Sequence, residues 1–302
     1  MTTTGLYFDP LFLEHDPGPG HPEAPSRLAA IETLLARAPV AGTVRKASRP
    51  ATTEELSRVH RPEYLAQLES QRGTPARLDP DTVASTKSVD AAWLAAGASV
   101  QAVEDVLAGR CDNAFTLVRP PGHHAETDTA MGFCLLNNAA VAATAALASG
   151  LSRVLLLDWD VHHGNGSQAM FWRRRDVLYV SSHQYPFYPG TGAARERGGG
   201  EGEGYTVNCA LPGAQADADF GAIFSDVFLP IAEQYRPELV IVSAGFDAHR
   251  ADPLGGMNVT ERGYAAMTAA LSEVARTCCG GKLVLILEGG YDLGALSNSV
   301  HA

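Results

Sequence analysis

The sequence predicts an α/β fold in which a mostly parallel central sheet carries helices on both faces. Three observations lead there. Runs such as Arg153-Val154-Leu155-Leu156-Leu157, Leu239-Val240-Ile241-Val242 and Leu283-Val284-Leu285-Ile286-Leu287 are continuously apolar apart from the leading arginine. That is the signature of parallel strands covered above and below. Alanine-rich amphipathic stretches alternate with these runs, as crossover helices do. Chemically competent side chains follow several runs at the same end, the edge at which open parallel sheets bind ligands.

In chain order, helical patterns fall at about 26–38, 87–108, 138–149, 218–235, 260–277 and 292–300. Thr52-Thr53-Glu54-Glu55 adds a capping box for a further short helix, because the threonine and the glutamate three positions on can satisfy each other's backbone N–H groups. Strand-like runs occur at 114–118, 153–157, 177–182, 205–209, 239–242 and 283–287. Between the third and fourth of these lies Gly198-Gly199-Gly200-Glu201-Gly202-Glu203-Gly204. It reads either as a mobile loop on the active-site side or as an ordinary flexible surface loop. The 302 residues show no linker and no internal repeat, so one open α/β sheet over the whole chain is the expected domain organisation.

The densest chemistry is in Asp158-Trp159-Asp160-Val161-His162-His163-Gly164-Asn165-Gly166, directly after an apolar run. If the chain stays extended there, the period of two places Asp158, Asp160 and His162 on one side and Trp159, Val161 and His163 on the other. A carboxylate and an imidazole suit Zn²⁺, and a catalytic zinc keeps three protein ligands with one position open. Asp247, in Ser243-Ala244-Gly245-Phe246-Asp247 past another strand, is the natural third ligand. The run at 114–118 leads into Arg119-Pro120-Pro121-Gly122-His123-His124, a rigid presentation of paired histidines, and the run at 283–287 leads into Glu288-Gly289-Gly290-Tyr291. Each ending alone has a bland reading as a cap, a turn or a satisfied histidine. Four such endings at one sheet edge point to a joint active site.

These residues resemble the zinc-dependent histone deacetylase superfamily. The resemblance rests on RPPGHHA at 119–125, GFCLLNN at 132–138, DWDVHHGNG at 158–166, YPGTG at 188–192, SAGFDAHRADPLGGMNVT at 243–260 and LEGGYD at 287–292. It covers most of the chain, from His21-Pro22-Glu23 to about Leu296, and the Glu-Gly-Gly-Tyr ending and Asn165 look closer to the class II, bacterial deacetylase and acetylpolyamine amidohydrolase branch. It implies a single arginase/deacetylase-like catalytic domain over residues 1–302.

The resemblance also implies zinc on Asp160, His162 and Asp247, the same three residues that the spacing suggests. His123 matches the histidine bonded to Asp158, His124 the general base and then acid, and Tyr291 the donor to the substrate carbonyl. Zinc lowers the pKa of its water from about 15.7 toward about 7 and polarises the carbonyl. Position 165 is an aspartate in part of the family and Asn165 here, so His124 lacks an ion-pair partner that would favour its charged form. Phe133 and Tyr188 match the aromatic walls of an acyl-lysine tunnel, Gly132 offers backbone beside it, and Leu254 matches a leucine at its rim. Asp158 and Ser181 match one monovalent-cation site, for which K⁺ is the expected ion.

The reaction implied is removal of acetyl or other acyl groups from lysine in proteins or peptides. A small acetylated amine such as an acetylpolyamine is the alternative substrate, and the loops near 15–25 and 73–90 are where the two would be told apart. A non-catalytic acyl-lysine binder is a third reading, opposed by the intact catalytic set. A manganese ureohydrolase of the same fold would need more aspartate ligands for two metals. The net charge of −11 disfavours nucleic acid and is compatible with cationic substrates. No run approaches the length of a membrane span, the N-terminus lacks a secretion pattern, and five cysteines without disulfide spacing read as reduced thiols. A cytoplasmic protein is expected.

Overall fold

A computed structural model describes residues 2–302. Its strands are β1 (Thr4–Tyr7), β2 (Thr43–Lys46), β3 (Ala76–Arg77), β4 (Val83–Ala84), β5 (Asn113–Thr116), β6 (Val154–Asp158), β7 (Val177–Gln184), β8 (Thr206–Leu211), β9 (Leu239–Ala244) and β10 (Leu283–Leu287). Strands β3 and β4 form a small antiparallel pair; the other eight form one sheet in the order β2-β1-β5-β10-β9-β6-β7-β8. Every pairing in that sheet is parallel. Strands β6 and β9 are buried along their whole length, which is why their sequences carry no polar alternation.

The chain runs outward from β6 through β7 to the edge strand β8, then returns to β9 and moves the other way to β10. Neighbours β6 and β9 are therefore left in opposite directions, a switch point that opens a crevice at their C-terminal ends. Asp158 pairs with Ser243 at that edge.

The helices are α1 (Ser26–Arg37), α2 (Thr53–Ser57), α3 (Pro62–Ser70), α4 (Ser88–Leu107), α5 (Asn138–Ala148), α6 (Asn165–Phe171), α7 (Asp217–Ile223), α8 (Leu229–Tyr235), α9 (Glu261–Cys279) and α10 (Leu293–His301). Helices α4 and α5 pack on each other and over β5, β10, β6 and β9, while α9 packs on β9 and β10 with α7, α8 and α10 beside it. The alanines of α4 and α5 keep those contacts close, and most are fully buried. At α2 both capping-box bonds form between Thr52 and Glu55.

The sheet and helices follow the expected order, with three differences. The single helix expected over 218–235 is divided by a π-helical turn at Phe224–Phe228, where the Leu229 N–H donates to the Phe224 carbonyl five residues back. Pro230 lies next to it and supplies no N–H, so the regular ladder cannot pass through. The glycine-rich loop does not lie on the active-site side. Gly199 N–H donates to the Trp172 carbonyl at 2.9 Å and the loop leads into the start of β8. A parallel connection has to return to the N-terminal edge of the sheet before the next strand begins, and this loop is part of that return. Short α3 and α6 and the strands β1 and β2 had no distinct apolar signal.

His60 ties the segment after β5 to the start of α5. Its Nδ1 donates to the Glu126 carbonyl and its Nε2 accepts the Asn137 N–H, both at 3.0 Å. Burial lowers its pKa to about 4, against about 6.5 in an unfolded chain. The unfolded state therefore takes up a proton below pH 6.5 that the folded state refuses, and the stability tied to His60 falls as pH drops from 6.5 toward 4. At about 1.4 kcal/mol per unit, His60→Gln should gain about 2 kcal/mol on the parent between pH 6.5 and 5, beyond any constant offset. Urea unfolding of both proteins at the two pH values measures this; a gap that does not change with pH would refute it.

Candidate active site

Four strand ends deliver the site. After β5, the backbone N–H groups of Gly122 and His123 donate to Oε2 of Glu288 at 2.6 and 3.1 Å, while Ser243 donates to its other oxygen at 3.2 Å. The carboxylate at the end of β10 thus fixes the paired histidines. Burial pushes Glu288 up to about 7, opposed by the charge of His123 and the Gly122 N–H.

After β6 the chain does not stay extended. The Asp160 N–H donates to Asp158 Oδ1 at 3.1 Å and the His162 N–H to Asp160 Oδ1 at 2.9 Å, two successive side-chain turns of the kind aspartate favours. The sorting of side chains survives the bend. Trp159 and Val161 enter the core, and His163 turns to Thr191 and Gln168 at 2.8 and 3.1 Å.

Asp160, His162 and Asp247 each aim one donor atom at a common point, with those atoms within 4.8 Å of one another. His162 Nδ1 lies 3.2 Å from Asp160 Oδ1 and 3.1 Å from Asp247 Oδ2. The carboxylates are held from behind: Gly289 N–H donates to Asp160 Oδ2 at 2.9 Å and Val161 N–H to Asp247 Oδ1 at 2.8 Å. A Cβ on Gly289 would sit 2.2 Å from Asp247 Oδ2, so only glycine permits this approach. Burial pushes Asp247 up to about 7, with Asp160 adding to it. Burial alone would lower His162, but the two carboxylates raise it to about 10. Two buried carboxylates sharing one imidazole form a site short of positive charge, and two oxygens and one nitrogen fit a zinc ion with one position left open.

The paired histidines are driven apart electrostatically. His123 Nδ1 lies 3.0 Å from Asp158 Oδ2; burial opposes its charge, yet Asp160 and Asp158 raise it well above the ordinary imidazole range. His124 is lowered well below that range by burial and by His123 and His162. One ring is charged and anchored, and the other is neutral. His124 Nδ1 meets Asn165 Oδ1 at 2.9 Å.

Tyr291 is held from two sides. Its N–H donates to Asp252 Oδ2 at 2.6 Å, and the Arg27 guanidinium lies 4.9 Å from its ring centre. Arg27 is itself buried and donates to the carbonyls of Glu288 and Gly290. Burial raises the Tyr291 phenol well above its ordinary value, opposed by Arg27, so it stays a hydrogen-bond donor.

A pocket of about 260 Å³ is lined by Asp81, His124, Gly132, Phe133, His162, Phe187, Tyr188, Leu254 and Tyr291. It contains every substrate-contact residue expected from the sequence. Gly132 and Phe133, at φ 56° and 68°, make a two-residue turn closed by Met131 and Cys134. A Cβ on Gly132 would lie 2.4 Å from the His124 ring. Phe133 in this region stores roughly 1–3 kcal/mol of strain. Thr82 and Asp81 stabilise the turn by accepting the N–H groups of Phe133 and Gly132 at 3.0 and 3.1 Å.

Asp81 and Phe187 carried no motif signal. Phe187 stacks on His162 at 5.4 Å and 17°, and Asp81 comes from the 73–90 loop flagged for substrate choice. Asp158 and Ser181 are register partners across β6 and β7; the Asp158 carboxylate meets His123, Tyr179 and the Asp160 N–H, and the Ser181 hydroxyl meets His183.

A family model described as "Histone deacetylase domain" matches residues 21–302. Histone deacetylase 15 of Arabidopsis thaliana is 46% identical over 312 residues, covering 100% of this chain, and the chain spans 56% of that protein's length. A probable deacetylase of Archaeoglobus fulgidus is 39% identical over 97% of this chain and 83% of its own. A histone deacetylase-like amidohydrolase of Pseudomonas aeruginosa is 40% identical over 95% and 81%. The solved HDA15 HD domain superposes with a TM-score of 0.95 at 46% identity, covering 99% of this chain and 86% of that one.

Proposed function

Because the chain belongs to the histone deacetylase family of hydrolases, we propose that it works as one catalytic domain over residues 1–302 that removes acetyl groups from the ε-amine of lysine in proteins or peptides. The observation that carries this reading is the pocket itself, whose lining brings Phe133, Tyr188 and Leu254 together with His124, His162 and Tyr291. Such a lining suits an aliphatic stem whose terminal amide meets a base and a donor.

Asp160, His162 and Asp247 would hold zinc. The ion supplies a Lewis acid for the amide carbonyl and a lowered water pKa. The protein's own groups do the rest. His124 takes a proton from the attacking water as its oxygen bonds to the carbonyl carbon. When the C–N bond breaks, His124 returns that proton to the departing nitrogen, and the acetic acid formed passes its own proton to the amine, leaving acetate and the ammonium form of the amine. His123, paired with Asp158, keeps positive charge beside the site, and Asn165 orients His124. The Tyr291 hydroxyl donates to the oxygen on which negative charge develops. Gly132 and Leu254 line the stem. No helix among the described residues is long and apolar enough to cross a membrane. None of the five cysteines is in a disulfide, and a cytoplasmic location is part of the proposal.

The Asp81 carboxylate in the pocket lining favours a second reading, in which a small acetylated amine brings a further ammonium group to the entrance. Turnover of the zinc-loaded protein on an acetyl-lysine peptide and on an acetylated polyamine separates the two. The peptide is expected to give the higher kcat/KM; a clear preference for the polyamine would replace the first reading with the second.

A further inference from the structure

Asn165 has one partner, the His124 ring, at its oxygen end and a crowd of acceptors at its nitrogen end. Its Oδ1 meets His124 Nδ1 at 2.9 Å, whereas Nδ2 donates to Glu126 Oε1 at 2.7 Å and also faces Met131 Sδ at 3.3 Å and the His124 carbonyl at 3.4 Å. Turning the amide over would set Oδ1 against a carboxylate oxygen at hydrogen-bond distance. The network therefore allows one orientation. Glu126 is placed by its own loop: its N–H donates to the Thr129 carbonyl at 2.9 Å, and its carbonyl accepts from His60 at 3.0 Å.

We propose that Glu126 is a positioning residue that, through Asn165, sets which ring nitrogen of His124 carries the proton. With Oδ1 facing it, Nδ1 has to donate, so the neutral ring is the Nδ1–H tautomer and Nε2 keeps its lone pair for the pocket. Without a fixed amide, Asn165 can present its NH₂ instead. Nδ1 then accepts, the proton moves to Nε2, and the ring can no longer take one from water. Glu126 thus does at one remove what a carboxylate at position 165 would do directly. The inference rests on the reading of His124 as base.

Charge reversal tests it. In E126K the ammonium draws Asn165 Oδ1 toward itself and turns Nδ2 to His124; kcat on the acetyl-lysine peptide should fall by about 10²–10⁴, the contribution of a general base, the upper end being the loss seen when an orienting group imposes the wrong tautomer. KM should stay within about threefold. N165D alone sets two carboxylates at hydrogen-bond distance and should also be slow. In E126K/N165D a carboxylate accepts from both His124 and the new ammonium, and kcat should exceed either single variant by about tenfold or more, a coupling that independent structural damage does not produce. E126Q, which keeps an acceptor, should stay within about tenfold of the parent. Long-range ¹H–¹⁵N spectra of the His124 ring, assigned with His124→Gln, should read Nδ1–H in the parent and Nε2–H in E126K.

The proposal is overturned if E126K turns over like the parent, if the folded double variant is no faster than both singles, or if the tautomer does not change. The spectrum reads the ring whether or not the parent is active. Failure of His124 as base and failure of Glu126 as its orienting group therefore appear in different measurements.

Discussion

Asp247→Ala is expected to yield a folded protein that binds no zinc at micromolar concentration and turns over acetyl-lysine peptide at background. Asp247 supplies one of the three donors that converge among the described residues, and two are too few for a tetrahedral ion with an open position. Without metal, the buried Asp247 carboxylate also carries a cost. Burial and Asp160 push the Asp247 carboxyl up to about 7, far above its unfolded value of about 3.9. An acid raised on folding costs stability as pH rises from the unfolded pKa through the folded one. Above pH 7 the metal-free parent carries a penalty for the ionised Asp247 that the alanine variant escapes, while the variant also loses the support that Asp247 gives to the charge of His162.

Part of that gain is returned, because the Val161 N–H loses its acceptor, a loss of about 1–3 kcal/mol. Zinc should raise the parent's Tm and leave the variant's unchanged. Metal analysis and thermal melts with and without zinc check both halves. Stoichiometric zinc in Asp247→Ala would remove Asp247 from the ligand set.

The same residues explain what could be read from the sequence. Strands β6, β9 and β10 announce themselves because burial on both faces removes polar alternation, and their edges announce the site because Asp160, His162 and Asp247 have few other reasons to follow such runs. The parts that stayed hidden act through contacts between distant segments. Glu126 reaches a partner 39 positions away and Asp81 one 51 positions away; neither belongs to a local period. Glu288 was visible as a motif letter, but its work of holding two backbone N–H groups of another loop was not. Of the two readings of the glycine-rich loop, the active-site-side one fails because composition reports flexibility, whereas a loop's side is decided by where a parallel crossover must return.

Tyr291→Phe and His124→Ala should both keep zinc and both lose turnover, by different routes. Phenylalanine at 291 preserves what positions the ring, namely the backbone bond to Asp252 and the stacking of Arg27, and deletes only the hydroxyl. Removing one preorganised donor to a developing oxyanion typically lowers kcat by about 10²–10³. Since the phenol is held well above its ordinary range, it is a donor at every working pH, and the deficit should be the same across the pH profile. His124→Ala removes the group that moves the proton, a loss of about 10²–10⁴, and should remove any acid limb due to that group as well. Steady-state kinetics from pH 6 to 9, with metal content measured on each protein, separates the two. A Tyr291→Phe enzyme as fast as the parent would end the oxyanion role. Zinc lost from His124→Ala would make His124 a ligand and leave the site without its base.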